Sequence, residues 1–175
     1  MRARRRGGRE VFKVHNFRKD MAIKVVSANK RDKKQLLGWF THYELKRIIN
    51  NRVDCYLSHN STIVAKDKNK IIGILQWYIK EEPDDGLTEF EEVFVSKEYR
   101  GRRIGALLVE YAIKSVKDYF KKLRIKPRKI FLFVSKNNKA ARVLYEKFGF
   151  KKIANVGNLF HDREQELFYV LDLRK

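Results

Sequence analysis

The chain opens its first patterned stretch with an alternation. In MAIKVVSA (21–28), Ile23, Val25 and Ser27 fall on one side, the period of two that a strand requires. The period then lengthens. NKRDKKQLLGWFTHYELKRIINN reads as two helical stretches broken around Gly38–Thr41, with Leu36, Leu37, Phe40, Leu45, Ile48 and Ile49 facing inward. Residues 62–67 and 71–80 return to strand character and are joined by the turn KDKNK as a hairpin. EEPDDG is a loop, and LTEFEEVFV (87–95) is the next strand. From Ile104, apolar residues at 104, 107, 108, 111, 112, 116, 119 and 123 predict a helix with one buried stripe. RKIFLFV (128–134) is almost continuously apolar, as in a strand covered on both faces. NKAARVLYEKF is a further helix, ended by Gly149 where a left-handed residue commonly closes one. Strands near 150–155 and 165–173 complete the order βααβββαβαββ, which predicts an α/β fold, a mixed sheet with helices on both faces.

Length and charge change the picture at the N-terminus. The 175 residues suit one domain, expected over 21–175. Residues 1–20, with eight basic and two acidic residues and no period, read as a basic arm outside the fold. The whole chain carries 41 Lys+Arg against 21 Asp+Glu, a net charge of +20 that favours polyanionic partners: nucleic acid, a membrane surface or a phosphorylated cofactor. Charge alone does not choose among them. The single cysteine, Cys55, excludes a disulfide framework and a cysteine-based zinc site, and is expected to be a buried, inert thiol. His15, His42, His59 and His161 lack ligand spacing, so no metal site is expected. With no long apolar run and no signal-peptide core, the reading is a soluble, cytoplasmic protein with no membrane role, of unspecified oligomeric state.

The chemistry concentrates in EYRGRRIGALL (98–108), where strand 87–95 gives way to helix 104–123. The helix start offers free N–H groups and the positive end of the dipole. Gly101 and Gly105 let the backbone approach an anion, and Arg100, Arg102 and Arg103 add charge-assisted donors. The stretch is neither a Walker loop nor a dinucleotide fingerprint. The plainer alternative is a basic loop that caps a helix.

VFVSKEYRGRRIGALL followed by NKAARVLYEKFGF resembles the GNAT superfamily of N-acetyltransferases over roughly residues 21–173. The first piece matches Arg/Gln-x-x-Gly-x-Gly/Ala from Arg100 to Gly105, with Arg103 in place of the fourth-position glycine. The second matches through Asn138, Ala141, Leu144, Tyr145, Gly149 and Phe150. The resemblance implies a mostly antiparallel sheet and acetyl-CoA as cosubstrate, with coenzyme A as product. It implies that Val93, Phe94 and Val95 bind the pantetheine arm, and that amides near Phe94 and Val95 hold the oxyanion. Arg100 and residues Gly101, Arg102, Arg103, Ile104, Gly105 and Ala106 would cradle the pyrophosphate, and Asn138 would touch the cofactor. An amide at Arg103 serves this role provided its φ is negative. Tyr145 would protonate the leaving thiolate; core packing beside Leu144 and Phe148 is its other reading.

Residues 81–92, EEPDDGLTEFEE, hold seven of the acids and no base. Acids near the thioester would attract a substrate ammonium and accept its proton. FEEVFVSKEYRG resembles the acidic strand of polyamine acetyltransferases, which places the base at Glu91, with Glu92 as the alternative. Ribosomal-protein acetyltransferases of the superfamily carry a glutamate on the next strand, where this chain has Phe133. The expected acceptor is a primary amine: a polyamine or other cationic small molecule, or a lysine side chain. A protein N-terminus, ribosomal or other, is the alternative. The loop Gly38–Tyr43, with Trp39, Phe40 and Tyr43, is expected to wall the acceptor. From a different class stands a nucleic-acid-binding protein with a degenerate acetyltransferase fold, using the basic arm.

Overall fold

The computed structural model describes residues 12–13, 23–40, 46–58, 61–160 and 164–174. Its elements are β1 (Phe12–Lys13), β2 (Ile23–Ser27), α1 (Lys33–Trp39), α2 (Lys46–Ser58), β3 (Thr62–Asp67) and β4 (Lys70–Lys80). There follow β5 (Leu87–Val95), α3 (Ile104–Leu123), β6 (Lys129–Ser135), α4 (Lys139–Lys147), β7 (Lys151–Gly157) and β8 (Glu166–Asp172). The eight strands form one sheet in the order β1-β2-β3-β4-β5-β6-β8-β7, antiparallel at every pairing except β5 with β6. Every element read from periodicity is present. The addition is β1, whose Phe12 pairs with Val25 at the sheet edge, so two residues of the stretch read as an outlying arm lie in the sheet. The rest of that stretch is outside the described residues.

Two apolar clusters clamp the sheet. On one face α3 sets Leu108, Ala112, Val116 and Phe120 against Ile63, Ile72, Leu75, Ile130 and Leu132, and α4 adds Tyr145. On the other face α1 and α2 set Leu36, Phe40, Ile49 and Val53 against Val64, Ile71 and Ile74. Each fully buried aliphatic or aromatic side chain here contributes roughly 1.5–3 kcal/mol by leaving water. Among the described residues the α1/α2 layer does not extend over the C-terminal strands. Accordingly β6 is not covered on both faces: Ile130, Leu132 and Val134 are buried, while Phe131 and Phe133 are half-buried and stack with Phe168 and Phe160 on an open face. Among the described residues no helix is long and apolar enough to cross a membrane.

Two features of β5 shape the centre of the molecule. Its ladder with β6 runs only from Leu87 to Glu89, opposite Lys129 to Phe131, after which the strands diverge. From Phe90 to Val95 the backbone groups facing β6 therefore have no strand partner. Against β4, the register slips between Gln76↔Glu91 and Ile74↔Phe94, so Glu92 and Val93 together oppose Leu75. This β-bulge bends the strand and re-aims its side chains where the cleft opens.

Candidate active site

The loop after β5 is braced from the hairpin β3–β4. Tyr99 donates its hydroxyl to Asp67 at 3.1 Å, and the Arg102 guanidinium lies 5.3 Å from the Tyr99 ring centroid. Arg100 turns back on the loop, its Nε donating to the Val95 carbonyl at 3.1 Å, so part of its donor capacity closes the turn. Gly101 has φ +75° with open space around its Cα, so it is required for its conformation. Gly105 has a different reason. A Cβ there would stand 3.2 Å from Leu144 Cδ2, so its missing side chain lets α3 approach α4, a packing role beside the anion role read from sequence.

Arg103 departs from expectation. Its φ is +59°, the left-handed region, where the sequence reading required a negative value. It takes the conformation of the glycine it replaces, at a cost of roughly 1–2 kcal/mol for a residue with a Cβ. Its own side chain forms no cap. Within the described residues, no acceptor takes the amide hydrogens of Arg103, Ile104, Gly105 and Ala106. Four orphan donors at the start of a 20-residue helix, beside three arginines, fit a pyrophosphate. Arg103→Gly should therefore stabilise the fold by about 0.5 kcal/mol, the relieved strain being partly offset by the freer unfolded chain. Urea unfolding measures this, and a loss of stability would show that the arginine side chain holds the loop.

Asn138 stands where β6 hands over to α4 and is exposed. Its Oδ1 accepts from the Ala141 amide at 3.1 Å, capping α4. Tyr145, about two turns further on, is 6% exposed and packs its ring 5.6 Å from that of Phe150. Burial alone raises its phenol above the ordinary tyrosine range. The core-packing reading of this residue is thus what the geometry shows, with a phenol that keeps its proton.

Glu91 lies on the α2 face of the sheet, immediately before the bulge. Arg52 Nη2 donates to its Oε1 at 2.5 Å, and the Tyr56 hydroxyl donates to its Oε2. A second pair repeats the motif: Tyr78 donates to Glu89 at 2.6 Å, with Lys80 at 3.4 Å from the same carboxylate. Burial first, and then the carboxylate partner, push both phenols above their usual range. The side chain of Glu92, the alternative base, lies outside the described part. Between α2, the free edge of β4 and the C-terminal half of α3 is a cavity of about 730 Å³, with Glu91, Arg52, Tyr56, Trp77, Tyr78 and Tyr119 in its wall. Cys55 lines it too and is exposed, not buried as its apolar neighbourhood predicted.

The expected acceptor wall fares less well. Phe40 is 1% exposed, a core residue continuing the stripe of Leu36, and Trp39 packs against the same cluster; Tyr43 is outside the described residues. Sequence reasoning missed Arg52, Tyr56 and Tyr78. The signal available was the i, i+4 spacing of Arg52 and Tyr56, which places them on one helix face. Among the described residues no group of three or more His, Cys, Asp or Glu could hold a metal ion.

The model of the acetyltransferase (GNAT) family matches residues 28–150. The chain belongs to that family. As a GNAT acetyltransferase it is an acetyl-CoA-dependent N-acetyltransferase that releases coenzyme A. Solved structures share the fold. A putative acetyltransferase from Acinetobacter baylyi ADP1 is 17% identical, with a TM-score of 0.74 over 91% of this chain and 96% of its own. Ribosomal-protein-alanine N-acetyltransferase from Brucella melitensis is 18% identical, at 0.70 over 85% and 99%. A putative acetyltransferase from Salmonella typhimurium, solved with its cofactor acetyl-CoA, is 15% identical, at 0.70 over 86% and 94%. No curated protein matches the sequence significantly.

Proposed function

We propose that this GNAT acetyltransferase receives a primary amine in the cavity between α2 and β4 and acetylates it across Glu91. The single observation that carries the reading is the position of Glu91: it lines the cavity and stands immediately before the bulge of β5, two residues past Glu89, the last residue paired with β6. Acetyl-CoA supplies the activated acetyl group. The β6-facing backbone groups of Val93, Phe94 and Val95 would hold the pantetheine and the carbonyl oxygen, and Gly101–Ala106, with Arg100, the pyrophosphate. Asn138 would add a contact through its amide nitrogen, since its oxygen caps α4. Tyr145 Oη would return a proton to the departing sulfur. Two acceptor classes compete: a polyamine or lysine side chain, and a protein N-terminus of the kind named for the Brucella enzyme. An exposed cysteine suits a reducing compartment such as the cytoplasm.

Cys55 supplies the test, because it is the chain's one thiol and lies in the cavity wall. An amine that supports coenzyme A release should slow alkylation of Cys55 by iodoacetamide in proportion to its occupancy. Turnover that persists unchanged on a fully alkylated enzyme, with no protection by the acceptor, would place the amine elsewhere.

A further inference from the structure

Resting on that reading of the cavity, we propose that the Arg52–Glu91 ion pair makes this a site for the amine class with the larger neutral fraction, the α-amino group of a peptide or protein, over lysine side chains and polyamines. The acidic stretch 81–92 pointed the other way, and the structure disperses it. Glu81, Glu82 and Asp84 are exposed in the loop before β5, and Asp85 is occupied within that loop, accepting from the Glu82 amide. Glu89 is 8% exposed and already takes Tyr78 and Lys80. In the cavity wall Glu91 is the one carboxylate among the described residues and Arg52 the one cation, so the lining is neutral.

A carboxylate that is to receive an ammonium ion must have charge to offer. Both oxygens of Glu91 already carry a donor, one a guanidinium and the other a phenol. An incoming ammonium would have to share each oxygen with a donor already there, one of them a full positive charge. Aromatic walls attract cations too, but those of the two tyrosines nearest the carboxylates are engaged: Arg52 lies 5.6 Å from the Tyr56 ring centroid and Lys80 lies 5.3 Å from that of Tyr78. A guanidinium held at the carboxylate repels a second cation. What remains is a cavity with apolar rings and hydroxyl groups, suited to a neutral amine and the side chain beside it.

Amines differ greatly in how often they are neutral. An α-amine, with a pKa of ~7.7–8.0, is unprotonated in about one molecule in ten at pH 7, and a lysine-like amine, at ~10.4, in about one in 2,500. If no group in the site deprotonates the ammonium, kcat/KM follows these fractions, and the α-amine leads about 300-fold at pH 7 and about 25-fold at pH 9. The groups around Glu91 are Arg52, Cys55 and Tyr56 on α2, Tyr78 on β4, Glu89 on β5 and Tyr119 on α3. Comparing two acceptors at one pH cancels their own titration from the ratio.

The experiment measures kcat/KM for coenzyme A release at pH 7 and pH 9. The acceptors are a lysine-free peptide with a free N-terminus, an Nα-blocked peptide with one lysine, and spermidine. Wild type should favour the free N-terminus about 300-fold at pH 7 and about 25-fold at pH 9. Arg52→Gln, which exposes the Glu91 charge, should narrow the preference at least tenfold by raising turnover of the two cations. Arg52→Lys, which keeps the charge, should restore it. Glu91→Gln, which removes the carboxylate and leaves the guanidinium's charge in the wall, should widen it, and this variant keeps the test open should Arg52→Gln fail to fold. Equal or better turnover of lysine or spermidine by wild type, or a preference indifferent to Arg52→Gln, would overturn the inference while leaving acetyl transfer intact. No release with any of the three amines, with acetyl-CoA binding verified by calorimetry, would overturn the cavity as acceptor site and the inference with it.

Discussion

Tyr145→Phe is expected to lower kcat for coenzyme A release about 10²- to 10³-fold while acetyl-CoA still binds and the fold stays intact. The substitution is clean because of where the residue sits. Its ring belongs to the core shared by α3, α4 and β8 and faces Phe150, and phenylalanine keeps those contacts. Its hydroxyl has no hydrogen-bond partner among the described residues, so its removal strands no protein group. What is lost is a proton. Burial holds the phenol protonated through neutral pH and beyond, and a departing thiolate, with a thiol pKa of ~8.5, gains from a nearby proton donor. The same burial predicts a sign in alkali. The folded protein keeps a proton that the unfolded chain releases above pH ~10, so stability is intact below that pH and falls above it, by up to about 1.4 kcal/mol per pH unit for this one group. Tyr145→Phe should remove that part of the alkaline loss. Steady-state kinetics and urea unfolding at pH 8 and 11 read the two effects. A kcat within threefold of wild type would return Tyr145 to a purely structural role.

Much of this could be read before any coordinates. Periodicity reports what burial demands of a contiguous segment, and β5, α3 and α4 were located almost to the residue because each presents one apolar face to one neighbour. The anion loop was legible for a similar reason: orphan amides and arginines are local. What escaped was set by contacts distant in sequence. Nothing near Glu91 announces that Arg52 and Tyr56 will engage it, so an acid beside the cleft read as an open base. Phe133 and Phe131 read as buried because apolar sequence does not say which layer is missing above them. Phe40 carried two readings, an inward-facing helix residue and a wall of the acceptor loop; the first holds, since its spacing from Leu36 puts it in the core. The reading of Arg103 failed differently. The rule that side chains avoid positive φ is a matter of 1–2 kcal/mol, and a loop tied to Asp67 through Tyr99 and to Val95 through Arg100 can impose that much strain.

That loop allows folding and binding to be separated by one substitution. Ala106 is at the third position of α3, where a carboxylate is normally welcome: it meets the positive end of the helix dipole and accepts from the free amides of the first turn. Ala106→Asp should therefore keep the melting temperature or raise it slightly, by a contribution of about 0.3–1 kcal/mol. The same carboxylate would sit on the donors that a pyrophosphate needs and repel it. Losing two charge-assisted hydrogen bonds of about 1.5 kcal/mol each corresponds to a roughly 10²-fold weaker acetyl-CoA affinity. Calorimetric titration with coenzyme A, beside thermal unfolding of the apo protein, reads both. Stability and affinity falling together would show only that Ala106 is a packing site. Undiminished affinity would mean that the arginines, without the helix end, hold the phosphates. Stability kept and affinity lost is the outcome that four orphan amides at the head of α3 require.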